Sequence, residues 1–356
     1  MHATRHMHRS VNLAVAAAVL FGLGTPCAKL LLGRTSPQLL AGMLYLGSGV
    51  GLLLVWSTRR GRAPNEAPLM RRDAPWLAGA IVSGGVLGPL LLMLGLARTP
   101  ASTASLLLNL EGVLTALLAW FVFRENVDRR IALGMVAIVA GGAVLSWQGR
   151  TAPGDFVGPL LVAGATLCWA VDNNLTQKVS AGDPVQVAML KGLIAGTVNT
   201  AIAIGVGARG PALPAIAAAL VLGFFSYGVS LVLFVLALRS LGTARTGAYF
   251  STAPFVGAVA SLVIFRERPG AGFIAAALLM SVGVWLHLTE RHEHEHVHEA
   301  MFHAHAHVHD EHHQHAHGPD DPPVTDPKPH VHVHRHEPLV HSHPHYPDIH
   351  HRHGHE

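Results

Sequence analysis

The chain has 356 residues, half of them apolar and only 13% charged, with 27 histidines and a formal charge of +4 when these are neutral. Roughly the last 65 residues are strongly polar, so the remainder is far more apolar than a soluble two-domain protein would be. The positive balance does not describe a nucleic-acid surface, because the arginines sit mostly in short segments beside apolar runs; Cys27 and Cys168 lie inside such runs and offer neither a disulfide framework nor a zinc ribbon.

Crossing a bilayer takes about 20 apolar residues, and runs of that length recur along the chain. Arg5 and Arg9 precede the first, at 11–32, which outruns the core of a secretory signal and is expected to be a retained span. Further spans are predicted at 37–57, 76–97, 100–123 and 130–147, then at 156–177, 185–207, 213–238, 243–265 and 270–288. Turn chemistry at Ala181-Gly182-Asp183-Pro184 and at Gly210-Pro211-Ala212-Leu213-Pro214 separates neighbours. The expected fold class is an all-α polytopic membrane protein: a cytoplasmic N-terminus at 1–10, five spans in 11–147, five in 154–288, and a disordered tail at 289–356.

One apolar run ends at Phe123-Arg124-Glu125 and another, 142 positions on, at Phe265-Arg266-Glu267; Gly141 and Gly283 keep the same offset. Such self-similarity predicts an internal duplication. Lys and Arg beside the spans number fourteen on one side and six on the other, which favours both termini in the cytoplasm. Five spans per repeat then force the halves into opposite orientations, the frame of alternating-access carriers.

With these features in this order, residues 11–288 resemble the EamA-type members of the drug/metabolite transporter superfamily. The likeness is carried by Leu110-Glu111-Gly112-Val113 running into Phe123-Arg124-Glu125 and Gly134, and by Ala253-Pro254-Phe255 running into Phe265-Arg266-Glu267. The resemblance implies ten helices in two inverted five-helix repeats and a secondary carrier, often an exporter of metabolites, amino acids or drugs, in a bacterial-type cytoplasmic (inner) membrane. The family's proline in the fourth helix of each repeat is kept as Pro254, whereas the first half has Gly112 at the matching place.

A charge in mid-span costs about 2.5–3.5 kcal/mol on insertion scales, so each one needs a partner or a cavity. Glu111 falls near the centre of the fourth predicted span, and Asp172 and Lys191 lie at similar depth on either side of the loop joining the sixth and seventh, where they could pair. The 142-residue offset sets Ala253 opposite Glu111, so the frame is duplicated and the charge is not. Glu111 is therefore a candidate for binding a proton, a cation or a substrate amine, and Asp172, Asn173, Asn174, Lys191 and Asn199 are candidate substrate or coupling residues beside it. Structural pairing and hydrogen bonding between helices are the competing roles. Lys29, Arg245 and His287 lie near span ends and are expected to snorkel to water, while Glu125 and Glu267 are expected to anchor span ends.

Of the 27 histidines, 23 fall between His292 and His355. His292, His294, His296, His298, His303, His305, His307, His309, His312, His313, His315 and His317 form the densest stretch, with Glu293, Glu295 and Asp310 interleaved. Neutral imidazole suits Zn, Ni, Co or Cu, so the tail is a candidate metal-binding segment.

No pairing of nucleophile and base, phosphate loop or metal-catalysis motif is visible, and no enzymatic activity or required cofactor is expected. The expected partners are the lipid bilayer, a small-molecule or cation substrate and protons as coupling ion, with a homodimer as the allowed assembly and no nucleic acid. A divalent transition-metal exporter and a membrane metal sensor are the alternative functions.

Overall fold

The computed structural model describes residues 2–59, 69, 71–123, 129–147, 156–177, 179, 183–289, 292–298, 302–307, 330–335 and 339–345; side chains are described for these except 2–9, 59, 72, 119–120, 122–123, 177, 238–245, 247–248, 287–288 and 292–345. Eleven α-helices occur among them: α1 (His2–Leu32), α2 (Pro37–Arg59), α3 (Ala74–Arg98), α4 (Ala101–Leu107), α5 (Leu110–Phe123), α6 (Arg129–Trp147), α7 (Val157–Gln177), α8 (Pro184–Gly205), α9 (213–250), α10 (Ala253–Phe265) and α11 (Ala271–Leu288). Seven stretches are long and apolar enough to cross a membrane, and α10 and most of α11 are shorter apolar helices.

Local chemistry sets several of these ends. Asp183 accepts the Val185 N–H at 2.9 Å and Pro184 opens α8, a capped start. Gly207, at φ 85°, closes that helix in the left-handed region, which lets the Ala208 N–H reach back to the Ala203 carbonyl at 2.9 Å.

The halves are held together by packing between them. Helix α2 lies on α8 and α6 on α11; α1 meets α9 and α10, as α7 meets α3 and the α4–α5 pair. Exchanging the halves maps this pairing onto itself, the relation expected of a duplicated five-span unit. At the α2–α8 crossing a Cβ on Gly49 would lie 2.4 Å from the Leu193 nitrogen, and one on Gly192 2.5 Å from the Gly49 nitrogen, so glycine is what allows the two backbones to touch. The fully buried Leu40, Leu44, Leu92, Met93, Leu96, Leu106, Leu107 and Met280 draw the core from both halves.

Two irregularities recur at nearly the repeat offset. Helix α3 has a π-helical stretch over Ile81–Leu87 and α9 has one over Phe224–Val229. The fourth span, predicted as one helix over 100–123, breaks at Leu108-Asn109, and the second half breaks at Ser251-Thr252. At the first break the Asn109 N–H and Nδ2 both turn back to the Leu106 carbonyl, at 3.0 and 2.9 Å; at the second, Thr252 N–H and Oγ1 do the same to Tyr249, at 3.2 and 2.6 Å. Polar side chains that bond back to the backbone compete with the helical ladder, and Pro254 lacks the N–H to continue it.

The boundary predicted between 238 and 243 is therefore not found: α9 runs on to Phe250 and the interruption comes later. Counting from the breaks also moves the correspondence by one residue. Glu111, second in α5, stands against Pro254, second in α10, and not against Ala253; Gly112 stands against Phe255.

The first Arg-Glu pair, Arg124-Glu125, lies outside the described residues. The tail, expected to be disordered, carries backbone pairing in four short stretches: β1 (His292–His298) runs antiparallel to β4 (Leu339–His345), and β2 (Phe302–His307) to β3 (His330–Arg335). Alternation of histidine with a second residue has the strand period of two, and two-stranded ladders are marginal in water without a third layer.

Candidate functional site

Helices α5, α7 and α8 bring four of the sequence candidates together. The Lys191 ammonium lies 2.6 and 2.7 Å from the two carboxylate oxygens of Asp172, forming the ion pair expected across the α7–α8 hairpin. Thr176, one turn on from Asp172, donates its hydroxyl to the same carboxylate at 2.8 Å. Asp172 and Lys191 are only 6% and 9% exposed, so each depends on the other for its solvation. A Cβ on Gly84 would sit 2.0 Å from the Asp172 carboxylate oxygen, so the absence of a side chain there is what admits the carboxylate against α3.

Glu111 stands in the first turn of α5, immediately after the break, and not at the middle of a continuous helix. Its own N–H bonds back across the break to the Leu108 carbonyl at 3.1 Å, and its side chain sits at the positive end of the α5 dipole. Asn173 donates its amide to Glu111 Oε1 at 2.9 Å, and lies 3.4 Å from the Thr115 hydroxyl one turn along α5. Asn173 is exposed and Glu111 half-buried, while the neighbouring Asp172 is buried. The grouping therefore offers one half-buried carboxylate with an exposed amide beside it, backed by a neutralised ion pair.

Asn174 and Asn199 direct their amide N–H groups to backbone, while the buried Asn199 Oδ1 has no hydrogen-bond partner among the described residues. Asn174 bonds to the Ala170 carbonyl at 2.8 Å and reaches Thr115 O at 3.5 Å, clasping α7 to α5. Asn199 donates to the carbonyls of Gly85 and Val86 in α3 at 3.2 and 3.3 Å.

The carbonyls of Gly84 and Gly85 lose a helical donor for a reason the sequence holds. Within the π stretch the Gly88 N–H goes to Ser83 O, and Pro89 has no N–H to offer Gly84 or Gly85. Tyr45 Oη and Trp169 Nε1 take up the Gly84 carbonyl at 2.9 and 3.0 Å. Neither aromatic stands out by sequence as a site residue; the only signal is a proline four and five positions after two glycines in an apolar run. Together Tyr45, Trp169 and Asn199 fix the α3 segment against which Asp172 rests.

Away from this grouping, the Lys29 ammonium donates to the carbonyls of Leu96 and Thr99 (the latter at 2.9 Å), so it caps the C-terminal end of α3 where snorkelling to water was expected. Ser102, on the fully buried α4, donates to Glu267, tying that helix to the segment after α10. The side chains of Arg245 and His287 lie outside the described set, as do those of the tail histidines. Among the described residues, no three of His, Cys, Asp and Glu gather closely enough to hold a metal ion.

The model of the EamA-like transporter family matches residues 8–147 and again 156–289. An uncharacterized transporter of Methanothermobacter thermautotrophicus is 28% identical over 295 residues, covering 76% of this chain and 84% of that one. The probable 4-amino-4-deoxy-L-arabinose-phosphoundecaprenol flippase subunit ArnE of Pseudomonas aeruginosa is 40% identical over 116 residues, 32% of this chain and 96% of its own, so it corresponds in length to about one repeat. One solved crystal structure, 18% identical, aligns with a TM-score of 0.60 over 78% of this chain and 95% of its own, a likeness of fold.

Proposed function

The chain belongs to the EamA-like transporter family, and from that premise we propose that it is a proton-coupled exporter of small amine-bearing metabolites that works by alternating access. The membrane-transporter class follows from the family; the substrate, direction and coupling are our own reading. The observation that carries them is Glu111, a half-buried carboxylate at the start of a half-helix, hydrogen-bonded to the exposed Asn173 and present in one repeat only. Half-helix ends in carriers of this architecture are where ions and polar substrate groups are held. A lone carboxylate can hold a proton or an ammonium group, but not both, which is the elementary requirement for exchanging one against the other.

Support from relatives is of the same kind. ArnE is named for an amino sugar carried on a lipid phosphate, and Glu111 would suit the amine of such a compound. The reading is tested by a flux screen in proteoliposomes with an imposed proton gradient, covering amino acids, quaternary amines, sugars and divalent metals. Movement of amine-bearing solutes in response to the gradient is expected; a screen in which only non-amines move refutes it.

The tail enters as a second proposed element, a cytoplasmic collector of Zn, Ni, Co or Cu built on the histidines from His292 to His317. Imidazole binds metal as the neutral ring, so affinity should fall as pH drops through the ordinary histidine range near about 6.5. Calorimetric titration of the full chain with zinc or nickel at pH 7.5 should show several sites that vanish on truncation after residue 291 and weaken at pH 5.5. Unchanged stoichiometry after truncation would remove the tail from metal binding. A role as metal exporter or metal sensor would additionally require that truncation change metal flux or a metal-dependent response.

A further inference from the structure

Glycine inside a helix costs about 1 kcal/mol relative to alanine, and most of the span glycines here have an evident reason for their presence. A Cβ on Gly22, Gly42, Gly47, Gly49, Gly192 or Gly223 would be driven into the backbone of a neighbouring helix. Gly112 differs. It lies in the first turn of α5, is exposed, and a Cβ built on it meets no atom within 4 Å. Neither close packing nor a left-handed backbone calls for glycine at this position.

Two observations show which way this open space faces. At about 100° per residue, Gly112 and Phe121, nine positions apart, lie on opposite sides of α5. Phe121 is 70% exposed, as a lipid-facing aromatic would be, and Val113, between them, is buried against Met135 and Ile138 of α6. Gly112 therefore opens on the side of α5 opposite Phe121, next to Glu111. The second observation comes from the duplication. Counted from the helix breaks, the counterpart of Gly112 in the other half is Phe255, whose ring packs against the main core. One half fills the position with a phenyl ring, and the other, beside the unduplicated carboxylate, leaves it empty.

We propose that Gly112 sets the size of the group that can be accommodated at Glu111: its missing side chain is the room taken by the body of the substrate whose amine Glu111 holds. This inference rests on the transport reading above, and two measurements keep the failure of one apart from the failure of the other.

The first needs no substrate. In a chain with Cys27→Ala and Cys168→Ala, a Gly112→Cys variant in proteoliposomes is treated with a membrane-impermeant cationic methanethiosulfonate reagent. Rapid labelling of Cys-substituted protein, with none of the cysteine-free parent, is the expected result. A thiol that ignores this reagent, whether or not it reacts with membrane-soluble N-ethylmaleimide, would overturn the proposal by placing the position in lipid or in packed protein.

The second uses radiolabelled glycine, L-alanine, L-leucine, L-phenylalanine and L-tryptophan as flux probes with Gly112→Ala, Gly112→Val and Gly112→Phe. Each added bulk should lower flux of the larger members first, shifting the ratio of large to small by about tenfold per step. An equal fall across the series, or none, contradicts a size-setting role. If the parent protein carries neither these probes nor any other amine of the flux screen, it is the amine-substrate reading that fails, and the labelling result still decides the position of Gly112.

Discussion

Replacing Lys191 by alanine should sharply destabilise the protein, while the double replacement Lys191→Ala with Asp172→Ala should recover much of the loss. The single change strands the Asp172 carboxylate, 6% exposed, with the Thr176 hydroxyl as its one remaining hydrogen-bond donor among the described residues. Removing one partner of a buried ion pair costs about 3–5 kcal/mol, whereas removing both leaves no uncompensated charge. In detergent, the single variant should lose its folded fraction at a denaturant concentration that leaves the parent and the double variant folded. Equal stability of single and double variants would show that the pair is not mutually dependent. Flux then separates structure from function: if Asp172 and Lys191 only brace the site, the double variant keeps transport; if they contact substrate, it folds and does not carry.

Glu111→Gln is expected to have the largest effect on activity with the least on folding. The amide retains the shape and can still meet Asn173, and the position is only half-buried beside an exposed neighbour. What disappears is the ability to bind an ammonium group through charge or to release a proton. A hydrogen bond involving a charged group contributes about 1.5–3 kcal/mol, so flux of an amine substrate at low concentration should fall by about 10- to 150-fold. Glu111→Asp, which keeps the charge on a shorter arm, should retain more flux than Gln. A Gln variant that transports as well as the parent would leave Glu111 as a structural carboxylate paired with Asn173.

Much of the architecture is legible in the sequence because the bilayer imposes a fixed apolar length on every span and the duplication states the pattern twice. The Asp172–Lys191 pair is legible for a related reason: a short hairpin fixes depth, and two opposite charges at equal depth on adjacent helices can hardly avoid each other. The break at Leu108-Asn109 is not, since Leu106 to Leu110 contains neither proline nor glycine and a single asparagine marks the interruption. The second half announces its break through Pro254, yet Gly242 and Thr243 resemble a turn more strongly, although a helix tolerates one glycine and α9 continues through them. An unbroken fourth span would hold Glu111 at its middle, and the 142-residue offset sets it against Ala253; counted from the breaks, the carboxylate takes the place that proline holds in the other half. Tyr45 and Trp169 escape notice because their partner is a backbone carbonyl freed by a proline five residues away, a relation that hydropathy does not encode.

Alternate loading of Glu111 with a proton and a substrate amine predicts proton movement tied to substrate movement. The direct measurement is the internal pH of proteoliposomes, read with a trapped dye, on adding an amine solute found to be carried by the parent protein, in parallel with Glu111→Gln. Substrate entry through the parent should be accompanied by proton efflux and internal alkalinisation, and the Gln variant should show neither. Substrate entry without a pH change, or the same pH change in both proteins, would contradict the assignment of Glu111 as the exchanging carboxylate.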